Sequence, residues 1–146
     1  VKGNAGSFDG RSGAQADISL KGDHTIEVSV YPNKVSGQRV IIAGENWRLF
    51  RYSNHLYYQV SDKGRWRSFL TRSFFNEGLK WNNIKIVRKG DKLKIYKDGG
   101  HFKTFSKVPL SSSKRLYIGF YKNQRGRAGY YWYGLIDELT IERGSE

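Results

Sequence analysis

Apolar residues recur at every second position in segment after segment of this chain. His24 to Tyr31 sets Ile26, Val28 and Val30 against Thr25, Glu27 and Ser29. Leu56, Tyr58 and Val60 alternate with Tyr57, Gln59 and Ser61. Trp81 to Arg88 carries Ile84 and Ile86 on one face, and Lys92 to Lys97 carries Leu93 and Ile95. A period of two sends side chains to opposite faces of a β-strand, so each segment reads as a strand with one buried face. Turn chemistry separates the segments, at Pro32, Ser53-Asn54, Asp62-Lys63-Gly64, Lys89-Gly90-Asp91 and Asp98-Gly99-Gly100. Further strands are expected over Arg39 to Ala43, Trp47 to Tyr52, Arg65 to Leu70, Arg115 to Phe120 and Tyr131 to Ile141. Thr71 to Leu79 reads as loop or one turn, and no stretch shows a 3.6-residue apolar period. The expectation is an all-β fold of two face-packed antiparallel sheets.

The 146 residues suit one domain, 1–146, with a core of its own. The chain opens on Val1, which fits a processed form or a domain excised from a larger protein. Without cysteine it can form no disulfide, thiolate metal site or cysteine nucleophile. No apolar run is long enough for a membrane-spanning helix. A net charge of +13 predicts attraction to polyanions such as nucleic acid or acidic glycans.

Catalytic signals are weak. Glycoside hydrolysis needs two carboxyl groups facing across a groove. Glu138 and Glu142 share parity but sit on the final strand, and the other acids are thinly spread, mostly in turns. His24, His55 and His101 fall in turns or at strand starts, without metal-ligand spacing, and are expected at the surface. Ser111-Ser112-Ser113 is read as a loop without a nucleophile elbow. The chain is expected not to be an enzyme.

Two carboxylates stand out, Asp9 in Ser7-Phe8-Asp9-Gly10 and Asp137 in Gly134-Leu135-Ile136-Asp137-Glu138-Leu139-Thr140-Ile141. A charge inside an apolar strand needs a partner. Asp137 shares alternation with Leu139 and Ile141, whereas Ile136 does not. Either a bulge lies between 136 and 139, or Asp137 points inward to a metal or a hydrogen-bond donor.

Aromatic residues are frequent: four Trp, ten Tyr and eight Phe. Phe8, Tyr58, Trp81, Phe102 or Phe105, and Phe120 read as core. Trp47 follows Gly44-Glu45-Asn46, Tyr52 precedes a turn, Tyr57 alternates away from Leu56, and Trp66 sits between Arg65 and Arg67. In the run Tyr130 to Tyr133 two residues are expected outside, and we take Tyr130 and Trp132. Arg48, Arg51, Arg65, Arg67 and Arg72 come from three consecutive strand regions, and with arginine so interleaved a ligand face of Trp47, Arg51, Tyr52, Tyr57, Trp66, Arg67, Tyr130 and Trp132 is expected. Rings stack on sugars, and arginine forks pair with carboxylate or sulfate. A second basic set, Lys80, Lys85, Lys89, Lys92, Lys94, Lys97, Lys103 and Lys107, lies on and around the central hairpin. It keeps nucleic acid as the rival partner, although no nucleic-acid-binding signature appears.

Six blocks in order resemble the laminin-G-like, concanavalin A-like lectin/glucanase family. They are Ser7-Phe8-Asp9-Gly10 with Ala16-Asp17-Ile18; His24-Thr25-Ile26-Glu27-Val28-Ser29-Val30-Tyr31-Pro32; Trp81-Asn82-Asn83-Ile84-Lys85-Ile86-Val87-Arg88; Leu93-Lys94-Ile95-Tyr96-Lys97-Asp98-Gly99; Leu116-Tyr117-Ile118-Gly119; and Gly134 with Ile136-Asp137-Glu138. The resemblance implies a two-sheet antiparallel jelly-roll β-sandwich with the first and last strands adjacent. It implies a structural Ca²⁺ near that junction, with Asp137 as ligand and Asp9 as a second. It also implies a non-catalytic, lectin-like carbohydrate-binding or adhesion module, monomeric, extracellular or at the cell surface. A nucleic-acid-binding or purely structural protein-interaction module is the alternative.

Overall fold

The alternating segments form strands close to where the pattern puts them. The computed structural model describes residues 6–9, 14–17, 20–32, 37–75, 79–122 and 127–143. Gly10 and Ile18 lie outside the described residues, as do the side chains of Phe8 and Asp9. The strands are β1 (Gly6–Asp9), β2 (Ala14–Ala16), β3 (Leu20–Lys21), β4 (His24–Pro32), β5 (Gln38–Ala43), β6 (Trp47–Tyr52), β7 (His55–Asp62) and β8 (Arg65–Thr71). There follow β9 (Asn82–Lys89), β10 (Lys92–Lys97), β11 (Gly100–Phe105), β12 (Ser112–Ser113), β13 (Leu116–Ile118), β14 (Tyr121–Lys122), β15 (Ala128–Gly129) and β16 (Tyr133–Arg143). Among the described residues no helix is long and apolar enough to cross a membrane.

Sheet one has the order β1-β16-β4-β9-β10-β11, and sheet two the order β2-β13-β5-β6-β7-β8. Two short ribbons, β3 with β12 and β14 with β15, complete the pairing among the described residues. All the ladders are antiparallel. The first and last strands are neighbours, as the resemblance implied. Sheet one sends Ile26, Val28, Val30, Ile84, Ile86, Leu93 and Ile95 into the interior, and sheet two sends Ile42, Trp47, Leu49, Leu56, Tyr58, Val60 and Phe69. This one cluster excludes water from both inner faces and supplies the main stabilising term.

Several expectations need correction. Trp81 is 43% exposed and sits edge-on to Tyr31 at 5.8 Å. Its parity is opposite to that of Ile84 and Ile86, so it belongs on the outer face. Of the alternatives Phe102 and Phe105, it is Phe105 that packs against the core, as one of the two was expected to, and Phe102 is exposed. Phe120 is half-buried, stacked on Tyr131. Ser112 and Ser113 form a strand rather than a loop. The edge strand β11 had no alternation to announce it, because His101 to Thr104 are all exposed.

His24 is the clearest departure. It is fully buried rather than at the surface, edge-on to Trp47 at 6.5 Å. The neighbouring Arg88 is buried too. Its guanidinium donates to the Gly90 and Val108 carbonyls and lies 3.8 Å from the Asp23 carboxylate. The His24 Nδ1 bonds to the Gly22 carbonyl at 3.0 Å. Burial pushes the His24 pKa down from 6.5 to about 4, and Arg88 adds to the effect against the opposing Gly22 bond. The folded state therefore resists a proton that the unfolded state accepts. Its stability is full above pH 6.5 and falls as pH drops towards 4. At about 1.4 kcal/mol per unit of pH, this group accounts for a loss of about 3 kcal/mol. Denaturant unfolding at a series of pH values should show that slope. His24→Asn, which retains a donor for Gly22, should flatten it.

Candidate functional site

The inner faces of the sheets are filled, so only the outer faces and the loops are open to a ligand. On sheet two the cross-strand register fixes what is there. Arg48 pairs with Gln59, Phe50 with Tyr57 and Tyr52 with His55. Gln59 in turn pairs with Ser68, and Ser61 with Trp66. Trp47 and Leu49 are core, so Arg48, Phe50 and Tyr52 take the opposite, outward parity.

Arg48 is the hub of this face. Its guanidinium lies 4.2 Å from the Trp66 ring centroid, 4.9 Å from Tyr121, 5.7 Å from Phe50 and 5.8 Å from Tyr130. Its Nε donates to Gln59 Oε1 at 2.6 Å, and Gln59 Nε2 donates to Ser68 Oγ at 2.7 Å. Cation–π attraction and this relay hold the guanidinium plane in place. Burial lowers its pKa from the usual arginine value, with Tyr121 and Tyr130 opposing. Arginine remains charged despite such a shift.

The rings around it form a continuous surface. Phe50 and Tyr57 stack at 4.8 Å, Tyr52 meets Tyr57 edge-on at 6.4 Å, and Trp66 meets Tyr121 edge-on at 6.0 Å. Phe50 belongs with Val40 and Ala43 to a small cluster separate from the main core, and Tyr57 and Tyr121 pack against it. Trp66, Tyr130 and Tyr52 keep 37%, 48% and 51% of their surface open. Burial raises the pKa of the Tyr121 hydroxyl.

Two backbone departures bring the outer rings here. The β5–β6 ladder shifts register between Val40 and Ile42. Beside that irregularity the Val40 amide donates to the Tyr130 carbonyl at 2.7 Å. Tyr130 itself adopts a left-handed backbone, φ +57°. The ribbon of β14 and β15 carries Tyr121 to its contact with Tyr130, ring centroids 6.4 Å apart.

The structure therefore sorts the eight expected ligand residues. Tyr52, Tyr57, Trp66 and Tyr130 come together on this face. Trp47 and Trp132 do not, since they are 0% and 1% exposed in the core and offer no ring to a ligand. Arg51 and Arg67 have the inward parity. Arg51 lies over Phe75 at the rim, and Arg67 over Phe69 on the edge strand β8. Burial, then Arg39 across the ladder, lowers the Arg51 pKa. Phe50, Gln59 and Tyr121 were missing from the expected site, and Arg48 was grouped with the arginines of these strands without being placed on the ligand face. The alternation of Arg48, Phe50 and Tyr52 against Trp47 and Leu49 was the available signal.

The carboxylate question resolves as a bulge. The β16–β4 register shifts between Asp137 and Thr140, and Glu138 adopts φ +52°. Ile136, Leu139 and Ile141 can then all face inward. Asp137 lies opposite Ser29 with outward parity, and its Oδ1 accepts the Glu138 amide at 2.7 Å. Asp9 pairs with Tyr133, four positions from Asp137, about 13 Å along the strand. A Ca²⁺ ion needs its oxygens within about 2.6 Å. Among the described residues no three His, Cys, Asp or Glu gather as metal ligands. Thermal melting in Ca²⁺ and in excess chelator should give equal midpoints. A midpoint raised by Ca²⁺ would restore the ion to this junction.

Known proteins share this architecture. The profile of the concanavalin A-like lectin/glucanases superfamily matches residues 6–144, and the chain belongs to that superfamily. No curated relative matches its sequence. The Ruminococcus gnavus IT-sialidase CBM40 is 11% identical, with a TM-score of 0.84 covering 100% of this chain and 93% of that one. Domains LG4-5 of the mouse laminin alpha1 chain are 13% identical, TM-score 0.73, with coverage of 97% and 41%. Domain 4 of AbnA, an extracellular arabinanase from Geobacillus stearothermophilus, is 17% identical, TM-score 0.73, with coverage of 96% and 70%. The likeness to these three is one of fold.

Proposed function

We propose that this chain is a non-catalytic carbohydrate-recognition module that binds its glycan on the outer face of sheet two. One observation carries the reading. A single guanidinium is held 4.2 to 5.8 Å from four rings, and two of those rings, Trp66 and Tyr130, stay open to solvent. The apolar C–H face of a sugar can stack on such a ring, while a fixed fork of N–H donors reads its oxygens. The fork favours a carboxylate over a hydroxyl because the hydrogen bond is charge-assisted. An acidic sugar with its carboxylate towards Arg48 is therefore the ligand we favour.

Two structural relatives support a sugar ligand. One is the IT-sialidase CBM40 bound to alpha2,3 sialyllactose, and the other is the AbnA domain in complex with arabinotriose. Hydrolysis would need a carboxyl pair about 5 to 9.5 Å apart. The face around Arg48 is instead built of rings, amide and hydroxyl. An extracellular or cell-surface setting accords with the extracellular arabinanase among the relatives. Ca²⁺ takes no part in this reading.

A glycan array tests it, followed by titration calorimetry on the best oligosaccharide. Trp66→Ala should weaken binding about tenfold or more, measured well below a melting midpoint that falls modestly through loss of the Arg48 and Tyr121 contacts. Binding should persist in about 0.5 M salt, where bare charge attraction is largely screened. An array without hits at low salt, or unchanged affinity in Trp66→Ala, would sink the proposal.

A further inference from the structure

The outer face of sheet one, across the core from Arg48, sorts its charges by strand. Lys85, Lys89, Lys92 and Lys94 surround Val87 and Tyr96, and these six residues line a groove of about 350 Å³. The register explains the grouping. Lys89 lies opposite Lys92, Val87 opposite Lys94, and Lys85 opposite Tyr96. Along the strands of this face the acids lie to the other side, on β4 and β16, while Asp91 and Asp98 stand exposed in the turns at the two ends of β10. Glu27 is opposite Lys85, while Asp137 and Glu142 are opposite Ser29 and Thr25. The positive excess therefore rests on Lys89, Lys92 and Lys94, all exposed.

The track has a second end. Trp81, Asn83, Lys85, Val87 and Lys89 are alternate positions of one stretch of chain. Eight positions cover about 26 Å. At the far end Trp81 stands 43% exposed beside Tyr31. In between, Asn83 Nδ2 donates to Ser29 Oγ at 3.2 Å. An extended ligand lying along β9 meets a ring, then polar groups, then a cluster of ammonium groups.

We infer that this second face binds a linear anionic polysaccharide. Its carboxylate or sulfate groups lie over Lys89, Lys92 and Lys94, and a sugar ring rests on Trp81. The acids on β4 and β16 repel the charged groups of such a chain and favour their placement over the lysines of β9 and β10. Lysines act here as point charges, so the groove selects charge rather than a particular anion. Nucleic acid fits less well. A single strand stacks successive bases on rings close to its phosphates. Among the described residues the groove offers only Tyr96, half-buried and edge-on to His101 at 5.6 Å.

The inference is independent of the glycan site on sheet two, and binding titrations of the whole chain separate them. The probes are polygalacturonate for carboxylate, dextran sulfate for sulfate, neutral dextran and oligo-dT. At about 50 mM salt one or both charged polysaccharides should bind and neutral dextran should not, with affinity falling steeply as salt rises. The triple variant Lys89→Ser, Lys92→Ser, Lys94→Ser should lose about tenfold or more and show a shallower salt dependence. It should keep the wild-type melting midpoint and its glycan-array profile, which a folding defect would not allow. Trp81→Ala should weaken binding without changing the salt slope. Triple-variant affinity within about twofold of wild type would overturn the inference, because the charges would then act elsewhere. So would tighter binding of oligo-dT than of either charged polysaccharide, or no binding to either.

Discussion

Every central strand must give alternate side chains to one shared interior. That constraint governs the rest of the molecule. Trp47, Tyr58 and Trp132 fill the space between the sheets together with Ile26, Leu49, Leu56 and Ile84. On a regular strand a residue next to one of these takes the opposite face, whatever its chemistry. Arg48 lies between Trp47 and Leu49, and Gln59 between Tyr58 and Val60, so both arrive on the same outer face. Lys85 and Lys94 are set outward on sheet one by Ile84, Ile86, Leu93 and Ile95 in the same way. The two candidate surfaces are the complement of the core.

The departures from strict alternation are few and placed. The shift between Asp137 and Thr140 returns Leu139 and Ile141 to the interior after an outward Asp137. The Asp137 carboxylate holds that bulge by accepting the next amide. The shift between Val40 and Ile42 lies where the Tyr130 carbonyl meets the sheet, and so helps place a ring over Arg48. Bulges re-aim side chains, and this one turns the chain beside the candidate face.

Much of the fold was legible because its strands are regular. His24–Pro32, Asn82–Lys89 and Lys92–Lys97 follow their sequence pattern closely. The site was less legible for specific reasons. Trp47 looks exposed when judged by the turn residues before it, but its parity with Leu49 governs its burial. Trp81 looks like core by family position, yet alternation sends it out. Tyr130 to Trp132 precede β16 rather than belonging to it, so strand parity does not apply. The meeting of Arg48 with Tyr121 joins residues distant in sequence, which a local pattern cannot show. His24 is buried by the packing of Trp47 and Arg88 around a strand start, equally invisible from its neighbours.

The central claim is that ligand recognition rests on the open rings around Arg48 and not on the buried tryptophans. The chain's four tryptophans make a direct readout available. Trp47 and Trp132 are sealed in the core, Trp81 faces the other side, and Trp66 alone of the four contacts Arg48. An array-selected oligosaccharide titrated into the wild-type protein in about 0.5 M salt, where the lysine face is screened, should change tryptophan emission, and Trp66→Phe should abolish that change. An undiminished emission change in Trp66→Phe would contradict the account.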